Sequence, residues 1–517
     1  MRLRLAAAGM AASVLALGAL PALADSFPRV TANTSVTAYD KRPARAHSTP
    51  FVLADPANPL RVMVSEVDLR TRVCFVHVSH DGGMSFVTAK STPMPPAFQY
   101  CSINSGGAEA PMAWGGDGSL LVAMHGQNDK DGRFNSGAAS LVVSRSTDEG
   151  RNWSSQIVVD NRDKDPREAA FRPHIVADRS RGVVYVSYNR SYTPAGAKAR
   201  ITRPYLLVST DNGKTFGAPI EITASAPLAS RAGWGASSPS LALAPDGGLF
   251  ILYTESAPSG PPVAGAATPK LALARTSDRG RSFEFSTVQD MDPFVGFPEL
   301  GMAFSGSKYS VIAVYEDLSL DASAAAQQVR DIFISRSTDG GKTFGKRQRI
   351  TDDPVSGFFN KYTPGISTAP NGRVDIAWYD FRNEAGQLLS DIYATSSTDL
   401  GATWGRNVRV SDHSSDRHLG AFASYSDVRG AAGIASTDAA VYSAWDDTRN
   451  GTVADQNQDT YFAAVQLRPI AAAAAGSWLT YAAAIGAGLI LAAVVLILVA
   501  LVLRRRTEGR LPAQAGA

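Results

Sequence analysis

Short apolar runs bounded by polar residues recur along most of this chain, as in Leu141-Val142-Val143-Ser144, Asp331-Ile332-Phe333-Ile334-Ser335 and Val374-Asp375-Ile376-Ala377-Trp378-Tyr379-Asp380. Apolar runs of this length, rich in β-branched and aromatic residues and broken by Gly, Pro, Asn and Asp, predict β-strands joined by tight turns. Between the two ends no long stretch repeats its apolar residues at helical spacing, so the interior of the chain is expected to be all-β.

The runs recur in units. An octapeptide of the form [S/T]-x-D-x-G-x-[S/T/N]-[W/F] occurs six times, at Ser79 to Phe86, Ser146 to Trp153, Ser209 to Phe216, Thr276 to Phe283, Ser337 to Phe344 and Ser397 to Trp404. Its Asp can accept backbone N–H bonds within the turn, its Gly takes a positive φ without steric cost, and its aromatic ring has a large apolar area to bury. A proline opens a strand ahead of each octapeptide, at Pro50, Pro111, Pro173, Pro239, Pro298 and Pro364, at intervals of roughly 60 to 66 residues. That interval suits a four-stranded blade with generous loops. A seventh unit lacks both markers but keeps three strands, Gly433-Ile434-Ala435, Val441 to Asp447 and Asp459 to Ala463. It is one strand short, and Arg29 to Tyr39 is a β-favouring stretch with no unit of its own. Pairing the two would close a ring and leave no open sheet edge. The expected fold is therefore a seven-bladed β-propeller, with six blades as the alternative.

The two ends differ from this pattern. Arg2 and Arg4, an apolar run from Leu5 to Leu20 and Ala22-Leu23-Ala24 have the three regions of a secretory signal peptide, with cleavage expected after Ala24. Leu479 to Leu503 contains no charged residue and is long enough to span a bilayer as a helix. Trp478 and Tyr481 would lie in its outer interface, and Arg504, Arg505 and Arg506 place the tail in the cytoplasm. The domain plan is a signal peptide (1–24), a propeller (28–467), an Ala-rich linker (468–477), a transmembrane helix (478–503) and a basic cytoplasmic tail (504–517). The protein is thus expected to be a single-pass protein of the cell membrane with its propeller outside the cytoplasm.

Charge and cysteine content narrow the chemistry. The net charge of +3, with Arg504, Arg505, Arg506 and Arg510 all in the tail, does not suggest a nucleic-acid partner. Cys74 and Cys101 are the only cysteines and lie in the exported part, where an oxidising compartment favours pairing; two unpaired thiols are the alternative. No cofactor is expected. Ca²⁺ is the one candidate ion, through hard oxygen ligands such as Asp446 with Asp447.

At its six octapeptides the chain resembles the Asp-box, or bacterial neuraminidase repeat, proteins of the sialidase superfamily, over about residues 28 to 467. The resemblance implies that the boxes lie between third and fourth strands, on the face away from the active site, so that Asp81, Asp148, Asp211, Asp278, Asp339 and Asp399 are structural. It also implies an upper face formed by the loops after each second strand and before each first strand. These carry Glu66, Asp68, His125, Asn189, Arg190, Glu255, Glu316, Asp317, Asp380, Arg382, Asp446, Asp447 and Arg449, with Arg172, Arg231, Glu299, Tyr362 and Tyr425 on the approach to the first strands.

Family members hold a substrate carboxylate in a clamp of three arginines, one from an F/Y-R-I-P motif in the first blade, and use a Glu-assisted Tyr nucleophile with an Asp acid/base. The first unit here reads Ala46-His47-Ser48-Thr49-Pro50, and the nearest equivalent of the motif is Phe171-Arg172-Pro173-His174 in the third. The residues assigned by resemblance are Arg172, Arg382 and Arg449 for the clamp, Tyr362 or Tyr425 as nucleophile and Glu299 as helper, with Asp380 and Asp446 as further carboxyl groups. The function implied is a cell-surface exo-glycosidase acting on sialic acid or another acidic sugar of glycoconjugates. The alternative is a non-catalytic membrane-anchored propeller that binds a glycan or a surface protein, which the Gly/Ala/Pro-rich Ser256 to Pro269 loop would suit.

Overall fold

The computed structural model describes residues 28–88, 98–101, 110–128, 137–197, 199–258, 268–290, 296–321, 327–355, 360–384, 386, 388–421, 423 and 432–468, together with Ile497, Ala500 and Leu501. The chain divides into two units, residues 1–469 and 470–517. In the second, the three described residues are helical, and among the described residues no helix is long and apolar enough to cross a membrane. The signal peptide, linker, spanning segment and tail expected from the sequence lie outside the described residues.

The first unit is a seven-bladed β-propeller made of seven antiparallel sheets. Blades 1 to 6 cover residues 47–88, 112–159, 169–221, 235–290, 296–349 and 361–409, and each runs in sequence order from an inner to an outer strand. Blade 7 takes three strands from the end of the unit, Gly433–Ser436, Ala440–Asp447 and Asp459–Gln466. Its outer strand comes from the start of the chain: Arg29–Val30 and Thr34–Ser35 both pair antiparallel with Asp459–Gln466. The ring therefore closes as the unpartnered N-terminal stretch predicts, and six blades are ruled out.

Each octapeptide is a turn after a third strand. In the turn of blade 5, Thr343 donates its N–H to Asp339 Oδ1 at 3.0 Å and its hydroxyl to Oδ2 at 2.6 Å, while Gly341 N–H reaches Ser337 Oγ at 2.9 Å. The same bonds recur in blades 1 and 4. Hydrogen bonds from the Ser282 hydroxyl and N–H hold the Asp278 carboxyl down to about 2, so this aspartate is committed to its turn.

The turns also stitch blade to blade. A Cβ on Gly83 of blade 1 would lie 1.9 Å from Phe462 of blade 7, one on Gly213 would lie 2.7 Å from Leu121 of blade 2, and one on Gly401 would lie 2.5 Å from Ile312 of blade 5. With φ values of 93°, 76° and 76°, only glycine meets both the turn and the close approach at these positions. The aromatic of the turn fills the same seam, with Phe86 packed edge-on to Phe462 at 5.2 Å between ring centroids.

Two devices secure blade 1. Cys74 and Cys101, both buried, form a disulfide with Cα atoms 5.9 Å apart, which decides between the two states the sequence leaves open. At the closure, fully buried His47 lies between Glu66 Oε2, 3.0 Å from Nδ1, and Asp40 Oδ2, 3.1 Å from Nε2; Asp40 belongs to the N-terminal segment. Burial opposes a charge on the imidazole, but attraction to Glu66 and hydrogen bonds to both carboxylates prevail, and His47 is pushed up to about 9. The closure is thus latched by a buried imidazolium between two carboxylates.

Candidate functional site

The innermost strands, one per blade, surround an axial cavity of about 1290 Å³. The octapeptide turns follow third strands and so lie at one end of this axis. The other end, where first strands begin, is the upper mouth.

At that mouth the first strands share a local distortion. Registers shift between Ser48 and Phe51, Phe171 and His174, Ser237 and Ser240, and Tyr362 and Gly365. Inside each bulge the residue before the proline takes a positive φ: Thr49 at 55°, Arg172 at 50°, Ser238 at 58° and Thr363 at 46°. Residues before proline normally stay extended, so each such conformation costs on the order of 1–3 kcal/mol and must be held from outside.

A buried side chain at the end of the preceding blade's second strand does so. His125 Nε2 accepts the Arg172 N–H at 2.9 Å, Asn189 Oδ1 accepts that of Ser238 at 3.0 Å, and Glu316 Oε1 accepts that of Thr363 at 2.6 Å. The Asp446 carboxyl does the same for Thr49 and also accepts from Ser48 Oγ at 2.6 Å and Gln458 Nε2 at 3.1 Å. Burial drives Asp446 well above the usual carboxylate range. Burial, with the Arg172 charge beside it, lowers His125 to about 3, so this imidazole is neutral and can accept. His125, Asn189, Glu316 and Asp446 are therefore inter-blade clasps.

Three arginines border the cavity at its mouth: Arg172, Arg330 and Arg417. Arg330 lies 5.3 Å over the ring of Tyr362, Tyr362 meets Phe381 edge-on at 5.5 Å, and Arg417 lies 5.2 Å over Phe381. Two guanidinium groups thus flank an aromatic pair. Arg417 Nε is buried with no hydrogen-bond partner among the described residues. On the facing strands Glu299 Oε2 accepts from Ser240 Oγ at 2.6 Å and lies 3.6 Å from His174 Nε2, while Arg172 Nη1 donates to Ser238 Oγ at 3.3 Å. The surrounding protein lowers the His174 imidazole to about 4, although 24% of the side chain stays open. The mouth can bind an anion through planar guanidinium groups and stack a ring against Tyr362 and Phe381.

The residues assigned from the sequence divide sharply. Arg172, Tyr362 and Glu299 border the cavity. Arg382 and Arg449 do not; they close two matching corners between blades. Arg382 is paired with Asp380, donates to Asp352 Oδ1 at 2.6 Å and Asn407 Oδ1 at 3.0 Å, and covers the ring of Tyr393 at 4.3 Å. Arg449 is paired with Asp447, donates to Asp412 Oδ1 at 2.7 Å and Asn33 Oδ1 at 3.1 Å, and covers Tyr461 at 4.0 Å. In each corner a tryptophan completes the set, Trp378 Nε1 donating to Asp380 at 2.8 Å and Trp445 Nε1 to Asp447 at 2.9 Å. The expected convergence of Arg172, Arg382 and Arg449 on one pocket is thus corrected. Asp380 and Asp446 are likewise buried in structural networks, and Tyr425 lies outside the described residues.

Asp446 and Asp447 turn into separate networks, and among the described residues no group of three or more His, Cys, Asp or Glu could hold a metal ion. Sequence reasoning missed Arg330, Arg417, Phe381 and His174. The signal was present for Arg417, which precedes the first strand of blade 7, but not for Arg330, which lies inside the third strand of blade 5, Gln327–Ser337.

Fold and site together define a class: a closed seven-bladed propeller whose axial cavity carries guanidinium, aromatic and carboxyl groups at one mouth. No family model matches the chain, and no curated protein sequence matches it. Among solved structures it is similar to a protein of unknown function from Dyadobacter fermentans, with a TM-score of 0.45 and 16% identity, over 71% of this chain and 97% of that one. It is also similar to the Hadza microbial sialidase Hz136, at 0.43 and 14%, over 80% and 75% of the two chains. Trypanosoma rangeli sialidase in complex with the inhibitor DANA gives 0.43 and 14%, over 70% of this chain and 55% of that one, so this chain spans about half of that enzyme.

Proposed function

We propose that this protein is a glycan-handling propeller, presented outside the cell on a C-terminal membrane anchor, that holds an acidic sugar at the upper mouth of its axial cavity. The observation that carries this reading is the grouping of Arg172, Arg330 and Arg417 with Tyr362 and Phe381 around one opening. Guanidinium forks pair with a carboxylate through two parallel hydrogen bonds, and aromatic faces pack against the apolar side of a sugar ring. The buried Arg417 Nε is a donor suited to such an acceptor. The Cys74–Cys101 disulfide supports an exported location.

The test is calorimetric titration of the full-length protein in nanodiscs with N-acetylneuraminic acid, glucuronic acid and galactose. The acids are expected to bind at least about tenfold more tightly than the neutral sugar, and Arg330→Ala or Arg417→Ala to weaken them by about 10- to 100-fold, the worth of a charge-assisted hydrogen bond. Equal affinity for acidic and neutral sugars overturns the reading.

A hydrolytic version is favoured by Tyr362 and Glu299 bordering the same cavity. In it Glu299 takes the phenolic proton as the Tyr362 oxygen bonds to the anomeric carbon and the bond to the leaving oxygen breaks. That oxygen takes a proton from water, and a second water then displaces Tyr362 from the anomeric carbon, the phenol regaining its proton from Glu299. Turnover of a fluorogenic sialoside or glucuronide, abolished in Tyr362→Phe with binding retained, is its expected signature. Binding without turnover leaves the non-catalytic version.

A further inference from the structure

The mouth is polar, whereas the walls beneath it are mostly apolar, with Ser367 and Thr368 as polar exceptions and Arg179 at the far end. Along the first strand of blade 3 the partly exposed residues that border the cavity run from Arg172 and His174 to Val176 and Ala177, passing from a charge to aliphatic groups within about 13 Å at the usual strand rise. Four other first strands, those of blades 1, 4, 6 and 7, carry comparable groups: Phe51, Leu53, Leu243, Ile366 and Ile434 all border the cavity and are all only partly buried, although they belong to the innermost strands. Their exposed faces therefore form an apolar lining below the arginines.

Size sharpens the point. At about 1290 Å³ the cavity exceeds the roughly 300–1,000 Å³ of common ligand pockets, so one sugar held at the mouth leaves much of the lining uncovered. Filling that space with alkyl or aryl groups removes apolar surface from water, whereas a further polar sugar unit would lose its own hydration against aliphatic walls.

We infer that the ligand of this site is an acidic sugar carrying an apolar aglycone, with the carboxylate at Arg172, Arg330 and Arg417 and the aglycone directed down the axial cavity. This inference rests on the acidic-sugar reading of the mouth and adds the class of group attached to it. An end-on arrangement of this kind places the charged group outermost and the apolar group deepest.

The test is the affinity of the full-length protein in nanodiscs for methyl, butyl and hexyl glucuronides and for hexyl glucoside, with partition into protein-free nanodiscs subtracted. Affinity is expected to rise about two- to fourfold per methylene, hence about 30-fold or more from methyl to hexyl glucuronide. Leu243→Asn, or Ile366→Thr should the first variant fail to fold, is expected to flatten that rise while leaving methyl glucuronide binding unchanged. If methyl and hexyl glucuronides bind equally, the aglycone stays in solvent and this inference falls while the acidic mouth stands. If hexyl glucoside binds as tightly as hexyl glucuronide, the acidic mouth itself falls, and with it the ligand class proposed here.

Discussion

Replacing Arg382 with methionine separates a structural arginine from a ligand-binding one. The side chain is 11% exposed and is paired with Asp380, which has no exposed surface. Without the guanidinium, Asp380 keeps the Trp378 Nε1 donor at 2.8 Å and the N–H of residue 382 at 2.8 Å but loses its counter-charge. Breaking a buried pair on one side costs about 3–5 kcal/mol, and the two remaining donors put this case near the lower end, at about 3 kcal/mol. Extending the size dependence of melting to this propeller gives about 1–2 °C per kcal/mol, so the midpoint should fall by roughly 3–6 °C in differential scanning fluorimetry.

The deficit should also depend on pH. Burial already raises Asp380 above the ordinary carboxylate range, and removing the arginine raises it further. A carboxyl whose folded value is raised destabilises the fold once ionised, so the gap to wild type should narrow as the solution is acidified. Acid-sugar affinity should be unchanged, because Arg382 does not border the cavity. A variant that melts like wild type but no longer binds would refute this assignment and restore Arg382 to the clamp.

His47→Gln removes a buried imidazolium raised to about 9; wild-type stabilisation from this group is complete below about pH 6.5 and lost as pH rises through 9, so the two proteins should converge in stability near pH 9 and differ by at most about 3 kcal/mol below pH 6.5 in urea titrations. Gly83→Ala puts a methyl group into Phe462 at a positive φ and should lower stability by about 2 kcal/mol or more, opening the seam between blades 1 and 7, with faster amide exchange in Asp459–Gln466 as the readout. Reducing the Cys74–Cys101 bond, with a separation of 27 residues, should cost about 3–4 kcal/mol by loop entropy; an unchanged melting curve under reductant would count against its role.

The repeat, the blade number and the closure are legible in the amino-acid order because each depends on local chemistry. A Ser or Thr, an Asp and a Gly at set spacing make their own turn wherever they occur, and a three-stranded last unit with a spare N-terminal strand has one economical solution. The direction of polar side chains at the upper face is different. A bulge at the head of several first strands breaks the two-residue alternation that would otherwise tell axis from interior, so Arg172 and Thr363 face where a regular strand would not send them.

The two Trp-x-Asp-x-Arg-Asn corners, at Trp378 to Asn383 and Trp445 to Asn450, look in the sequence like exposed acid and base groups; folded, they satisfy one another and cover a tyrosine each. Arg330 and Arg417, 87 residues apart in the chain, meet around Tyr362 and Phe381 only because blades 5 and 6 pack side by side. Local turn chemistry thus determined the wheel, whereas the facing of each charged group at its hub was decided by contacts between blades, which no single stretch of sequence contains.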